Sequence, residues 1–382
     1  MSSVEHLYVH IPFCDGKCVY CGFYSVTADA RTRSLYATSP ARELQAIVES
    51  GIEDIYPRTL YVGGGTPSLL GCDGLTALFS SIRNTVPLDR LEEATVEVNP
   101  ADSTPLLFQT LRGLGVTRIS LGAQSFSDNT LRRIGRRHNA QQIRESIRHA
   151  RAAGFPDVGI DLIAGLPSVT MQEWHATIEG ALSLSLQHIS VYALSVEPGS
   201  ALAQSQERFS IPADDAMLDA LSCAEEALSN AGFTRYEISN YALPGFECRH
   251  NLAVWHGEDY LGLGPAAASR IKQFRWTNAR DTDAYLEQWK EGNAGKCPPD
   301  NREELSPQED AIERVIFLLR LAEGIDWKRD INCNPLLQEI APRWEKILTS
   351  LVPHGIVRRT PQGYTLTKRG REVCDAVLAE LS

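Results

Sequence analysis

Apolar residues fall along this chain in two alternating rhythms. Short strand-like runs at residues 7–11, 59–62, 95–98, 117–121, 158–163 and 188–194 are separated by longer stretches whose apolar positions recur every three or four residues. The first rhythm predicts six β-strands. The second predicts helices that include residues 105–109, 141–152 and 172–184, with Gly113 and Gly154 at helix ends. Strict succession of β and α units predicts an α/β fold with a parallel sheet, and six units predict a partial (β/α)6 barrel rather than a closed eight-stranded one.

The rhythm changes after residue 194. Glu197-Pro198-Gly199-Ser200 reads as a turn, residues 213–230 as an amphipathic helix, and residues 235–242 as a strand-like run. From about residue 300 the composition shifts again. Ser306-Pro307-Gln308-Glu309 has the form of a capping box opening a helix to Gly324, and Leu336, Leu337, Ile340, Trp344, Ile347, Leu348 and Leu351 mark a second helix. Residues 355–366 read as a hairpin turning at Pro361-Gln362-Gly363, followed by a last helix. The expected organisation is a barrel over residues 1–210, an extension over 211–298 and a winged-helix-like domain over 299–382.

With 382 residues, 43% of them hydrophobic, the chain can bury a large core. Its net charge of -11 works against nonspecific attraction to nucleic acid, and Arg358, Arg359, Lys368, Arg369 and Arg371 on the wing do not reverse that. A lid or docking role suits the wing better than DNA binding. No apolar run approaches the roughly 18 to 20 residues that span a bilayer; Val315-Ile316-Phe317-Leu318-Leu319 stops at Arg320. Peripheral membrane association and a monomer or homodimer are both left open. Nine cysteines without disulfide-like spacing, and a start lacking the blocks of a signal peptide, place the chain in a reducing cytoplasm.

The cysteines supply the first candidate chemistry. Cys14, Cys18 and Cys21 lie within eight residues directly after the first predicted strand, and Pro12, Gly16 and Gly22 keep that stretch out of regular structure. Three thiols without a nearby fourth suit an iron-sulfur cluster with one iron left open. Zinc with His10 as fourth ligand, or plain buried cysteines, are the alternatives.

Other unusual residues fall at the carboxyl ends of the predicted strands, where parallel α/β folds gather their chemistry. Gly63-Gly64-Gly65-Thr66-Pro67 either lets a ligand approach the backbone or makes a tight turn. Glu97 and Asp161 are carboxylates on otherwise apolar runs, satisfied by a ribose or ammonium, or by salt bridges to Arg118 or Arg136. Gln124 can hold an amide or hydroxyl, and Arg136 is either a fork for a carboxylate or a surface charge in a basic run. Tyr8 shares a strand face with His10 and points into the barrel or into the core. Cys248, His250, Trp255 and His256 form either a haem or metal site or a packing cluster, while Gly262-Leu263-Gly264-Pro265 lacks the spacing of a dinucleotide loop.

Taken together, Tyr8-Val9-His10-Ile11-Pro12-Phe13-Cys14, Gly63-Gly64-Gly65-Thr66-Pro67-Ser68, Glu97-Val98-Asn99-Pro100, Ser120-Leu121-Gly122-Ala123-Gln124-Ser125-Phe126, Gly135-Arg136 and Asp161-Leu162-Ile163-Ala164-Gly165-Leu166-Pro167 resemble the HemN/HemW branch of the radical S-adenosylmethionine (SAM) family. The resemblance covers nearly the whole chain. It implies that Cys14, Cys18 and Cys21 hold a [4Fe-4S] cluster, whose open iron binds SAM, and that Tyr8, Gly64, Gly65, Thr66, Glu97, Gln124, Arg136 and Asp161 contact SAM.

Within the branch, Phe23 stands where the oxygen-independent coproporphyrinogen III oxidases carry a fourth cysteine, and the lead before Cys14 is short. Both features resemble the haem-chaperone members. Tyr236-Glu237-Ile238-Ser239-Asn240 and Cys248-Arg249-His250-Asn251 do too, the latter opening their His-Asn-x-x-Tyr-Trp haem pattern. His250 and Trp255 keep that pattern, whereas Val254 replaces its Tyr, and Ala266-Ala267-Ala268 replaces Gly-Ala-His. The resemblance thus implies SAM and haem as ligands, apo-haemoproteins as recipients and His250 as a haem-binding residue. An oxidase using a SAM radical is the alternative.

Overall fold

Period-two alternation builds the sheet. The computed structural model describes residues 3–51, 54–204, 209–292 and 302–382. In it β1 (Ser3–Ile11), β2 (Asp54–Gly64), β3 (Glu93–Val98), β4 (Arg118–Gln124), β5 (Asp157–Ala164) and β6 (His188–Ala193) pair in chain order, all parallel. One parity of these strands is apolar. Leu7, Val9, Leu60, Val62, Ile119, Leu121, Val158 and Ile160 are wholly buried in one cluster with Leu75, Phe79, Phe108, Ile147 and Ile178 of the surrounding helices.

The other parity is polar. Register sets Tyr8 beside Tyr61, Tyr61 beside Thr95, Thr95 beside Arg118, and Arg118 beside Asp157. One pleat further on, Glu97 stands beside Ser120, and beyond it Gly122 beside Asp161 and Asp161 beside Ser190. A barrel whose inner face repeats hydroxyl, carboxyl and imidazole groups is suited to enclosing a polar ligand.

The predicted strands are observed, with β1 and β2 beginning several residues earlier, where Val4 pairs with Ile55 ahead of a register shift and both are buried in the core. Both sides of the barrel sheet are extended. β6 is followed in the sheet by β8 (Asn240–Ala242) and β7 (Thr234–Arg235), both antiparallel additions. β1 is followed by β9 (Tyr260–Leu263), parallel to it, then by antiparallel β10 (Ala268–Ile271), β11 (Phe274–Thr277) and β12 (Glu303–Glu304). Among the described residues the twelve strands form one sheet that does not close.

The C-terminal part has its own apolar cluster, with Ile331, Leu337, Trp344 and Leu348 fully buried and the Trp344 indole donating to the Leu381 carbonyl at 2.7 Å. The helix predicted to reach Gly324 ends at Phe317, followed by a 3-10 turn at Leu318–Arg320. Residues 321 and 322 leave the helix because they bond to the 236–237 segment: Leu321 bridges Glu237, and Ala322 N–H donates to the Tyr236 carbonyl at 3.0 Å. The second helix is Ala341–Leu351, with proline in its first turn. β13 (Ile325–Asp326), β14 (Val357–Arg359) and β15 (Gly363–Leu366) then form a three-stranded antiparallel sheet in the order β13-β15-β14, the wing of a winged-helix-like module. No described helix is long and apolar enough to cross a membrane.

Candidate metal centre and cofactor pocket

The cysteine loop is stapled at its base. Val26 N–H donates to the Pro12 carbonyl at 2.7 Å and Cys14 N–H to the Val26 carbonyl at 3.1 Å, so the residues between project from the end of β1. A tight turn, Cys21 N–H to Cys18 carbonyl at 3.1 Å, brings two of the thiols round, and Val19 N–H ties the loop to the Ile134 carbonyl at 3.2 Å. Cys14, Cys18 and Cys21 are unpaired and partly accessible. Burial pushes the Cys21 thiol up, opposed by the Phe23 N–H.

The end of β2 presses on this loop. Gly65 N–H donates to the Ile11 carbonyl at 2.8 Å, and a Cβ on Gly65 would stand 2.6 Å from the Phe13 carbonyl oxygen. Gly64 has φ +107°, and a Cβ there would meet the His10 ring at 2.6 Å. Side chains at either position would push the loop or the ring aside.

His10 cannot complete a zinc site as placed. Its Nε2 lies 2.9 Å from the Tyr24 carbonyl, which only accepts, so Nε2 carries the proton and Nδ1 accepts from the Tyr8 hydroxyl at 3.0 Å. Both ring nitrogens are used. The donor set that remains is three sulfurs, which fits a cluster held by three thiolates with one iron open.

Behind the loop, Glu97 accepts from the Tyr61 hydroxyl at 2.8 Å and from Gly64 N–H at 3.2 Å. Burial, and then the neighbouring Asp161, push its carboxyl up to about 7. Asp161 accepts from the Ser120 hydroxyl at 3.2 Å, and burial raises it as well. Neither carboxyl has the arginine partner considered from the sequence. Arg118 pairs with Asp157, and Arg136 donates to the Gly122 carbonyl and, at 3.7 Å, to Cys18 Sγ. Arg136 Nε is buried without a partner. Two enclosed carboxyls and one unused guanidinium N–H suit a ligand bearing an ammonium, hydroxyls and a carboxylate.

Gln124 follows a register shift between Gly122 and Gln124, sits at φ +67° and is buried at the end of β4. Such irregularities re-aim a strand end toward a site. Tyr8 stacks near Tyr61, ring centroids 6.2 Å apart, just below the same rim. Tyr61 and Ser120 were not singled out from the sequence; their signal is that they share the polar parity of Glu97 and Asp161.

His250 packs under Tyr61, toward the amino ends of the strands. Its helix, Arg249–Trp255, covers the opposite end of the barrel, where Glu93 accepts from Arg249 N–H at 2.9 Å, His250 N–H at 3.1 Å and the Cys248 thiol at 3.4 Å. The His250 ring is bonded to Thr59 Oγ1 at 2.8 Å and lies 5.3 Å from the Tyr61 ring. It is 6% exposed and offers no open face to a porphyrin, so haem fits there only with this helix displaced.

Burial, and then the nearby His6, push the His250 pKa down to about 3. An unfolded-chain histidine titrates near 6.5. Between those values the unfolded state holds the extra proton, so the contribution of neutral His250 to stability is present above pH 6.5 and is lost as pH falls. Comparing urea unfolding of the wild type and His250→Gln should show the wild type losing about 2 kcal/mol relative to the variant between pH 7 and pH 5. A difference that stays constant with pH would show that the ring titrates in the folded chain as it does in the unfolded one.

Residues 8–181 match the Radical SAM superfamily. The heme chaperone HemW of Lactococcus lactis is 32% identical over 96% of this chain and 94% of its own length, and that of Bacillus subtilis is 31% identical over 99% and 100%. Among solved structures, coproporphyrinogen III oxidase (HemN) from Escherichia coli, described as a radical SAM enzyme, superposes with a TM-score of 0.81 over 99% of this chain and 90% of that one. At 24% identity this is a likeness of fold.

Proposed function

This chain belongs to the HemW family within the radical SAM superfamily, and from that membership we propose that it is a haem chaperone carrying a [4Fe-4S] cluster and SAM at the rim of its barrel. The observation that carries the cluster is the donor set: three thiols on one loop, with His10 engaged elsewhere. Cys14, Cys18 and Cys21 hold the cluster, which when bound supplies single electrons and an open iron site. Glu97, Asp161, Gln124 and Arg136 hold the polar groups of SAM, Gly64 and Gly65 leave room for it against the backbone, and Tyr8 and Thr66 border it. Haem, carried to apo-haemoproteins, is assigned to the segment containing His250. The unpaired state of every described cysteine suits a reducing cytoplasm.

Anaerobic haem titration tests the second half of this reading. The wild type should take up about one haem per chain, and His250→Ala should lose that uptake while its cluster absorbance is unchanged. Uptake retained in the variant would place the iron ligand elsewhere, and no uptake by the wild type would end the chaperone reading.

The likeness to HemN in fold favours one rival, oxidative decarboxylation of coproporphyrinogen III. Incubation with that substrate, SAM and a reductant is expected to give no protoporphyrinogen, because Phe23, 67% exposed, stands where the oxidases carry a further cysteine. Turnover would establish the rival.

A further inference from the structure

We propose that Thr66 and Arg136 are hydrogen-bond donors to the sulfurs of Cys14 and Cys18 and thereby set the reduction potential of the cluster, an assignment that rests on the three-thiolate reading. The first pair is Thr66 Oγ1 and Cys14 Sγ, 3.1 Å apart, with Thr66 6% exposed. Thr66 occupies the N-cap position of the 3-10 turn Pro67–Leu70, where a threonine hydroxyl normally accepts a backbone N–H. Here the side chain makes no capping bond and turns to the sulfur instead. Its place is fixed by Gly65, whose N–H is held by the Ile11 carbonyl and where a Cβ would stand 2.6 Å from the Phe13 carbonyl oxygen.

The second pair is Arg136 Nη1 and Cys18 Sγ at 3.7 Å. The guanidinium is oriented by its bond from Nη2 to the Gly122 carbonyl, and its backbone N–H is held by the Leu131 carbonyl at 2.8 Å. Cys21 has a backbone donor, the Phe23 N–H. Two of the three sulfurs therefore face side-chain donors delivered by other barrel units, one from the end of β2 and one from the segment after β4.

The direction of the effect follows from charge. Reduction adds one electron, part of whose density resides on the thiolate sulfurs. An O–H or guanidinium N–H aimed at those sulfurs bonds more strongly to the more negative form. Both donors therefore stabilise the reduced cluster and raise its potential. Removing either lowers it.

The test uses the full chain, reconstituted anaerobically and studied without SAM, so that any role of these residues in holding SAM does not enter. Iron and sulfide content and visible absorbance first establish the cluster in the wild type, Thr66→Val, Thr66→Ser and Arg136→Gln. Redox titration followed by electron paramagnetic resonance then reads the midpoint. Thr66→Val and Arg136→Gln are each expected to shift the one-electron equilibrium about tenfold toward the oxidised form, a midpoint lower by about 59 mV. Thr66→Ser, which keeps the hydroxyl, should titrate with the wild type. Fully loaded variants with unchanged midpoints overturn the proposal, as does a Thr66→Ser shift equal to that of Thr66→Val. A wild type that holds no cluster overturns the three-thiolate reading itself.

Discussion

Cys18→Ala protein, reconstituted without oxygen, is expected to return below about one iron per chain, against about four for the wild type. Three thiolates are the minimum that holds such a cluster, and two leave half of its irons exposed to exchange. Among the described residues, the imidazole beside the loop is not free to replace it. His10 is tied at both ring nitrogens, to Tyr8 and to Tyr24. The loop itself should survive, because its base is closed by backbone bonds between Pro12, Cys14 and Val26 that the substitution leaves intact. Circular dichroism and thermal unfolding of the apoprotein are therefore expected to match the wild type. Full iron content in the variant would mean that Cys18 is not a ligand.

Arg118→Leu is expected to cost about 3–5 kcal/mol, a large share of the 5–15 kcal/mol that folded proteins typically possess. Arg118 is 2% exposed and donates to Asp157 and, at 3.1 Å, to the Phe246 carbonyl. Burial pushes Asp157 up to about 6 even beside this cation, so desolvation is the larger influence on that carboxyl. Without the guanidinium, Asp157 and the nearby Glu93 would be left as enclosed acids, and Glu93 is the group that caps the His250 helix. Urea unfolding followed by tryptophan fluorescence reads the loss. Arg118→Leu combined with Asp157→Leu should recover part of it, since an apolar pair removes the stranded charge. A single-variant cost below about 1 kcal/mol would show that water reaches the barrel floor.

How much of this was legible beforehand depends on how far each feature reaches along the chain. The six strands and the cysteine loop are local patterns. So is the gathering of Gly64, Glu97, Gln124 and Asp161 toward one rim, because each lies in the carboxyl-terminal half of its strand and parallel strands share their ends. The partner of Arg118 was not legible. Register between β4 and β5 sets it beside Asp157 and places Asp161 beside Gly122, and no local spacing encodes that offset. His250 was the hardest of all. Its position is fixed by Glu93 and Thr59, 157 and 191 residues away, so a motif that reads as an open ligand from its neighbours is folded into the floor. The early end of the helix at Phe317 has the same origin, a pairing with residues 236 and 237.

The outermost strands of the sheet, β7 and β12, are each two residues long, and β12 is Glu303–Glu304, both solvent-exposed. Margins this short are poor templates for another chain, because a docking strand would find few free amides, and at β12 it would also meet two glutamates. Self-association by strand addition is thereby disfavoured even while partly folded material is concentrated.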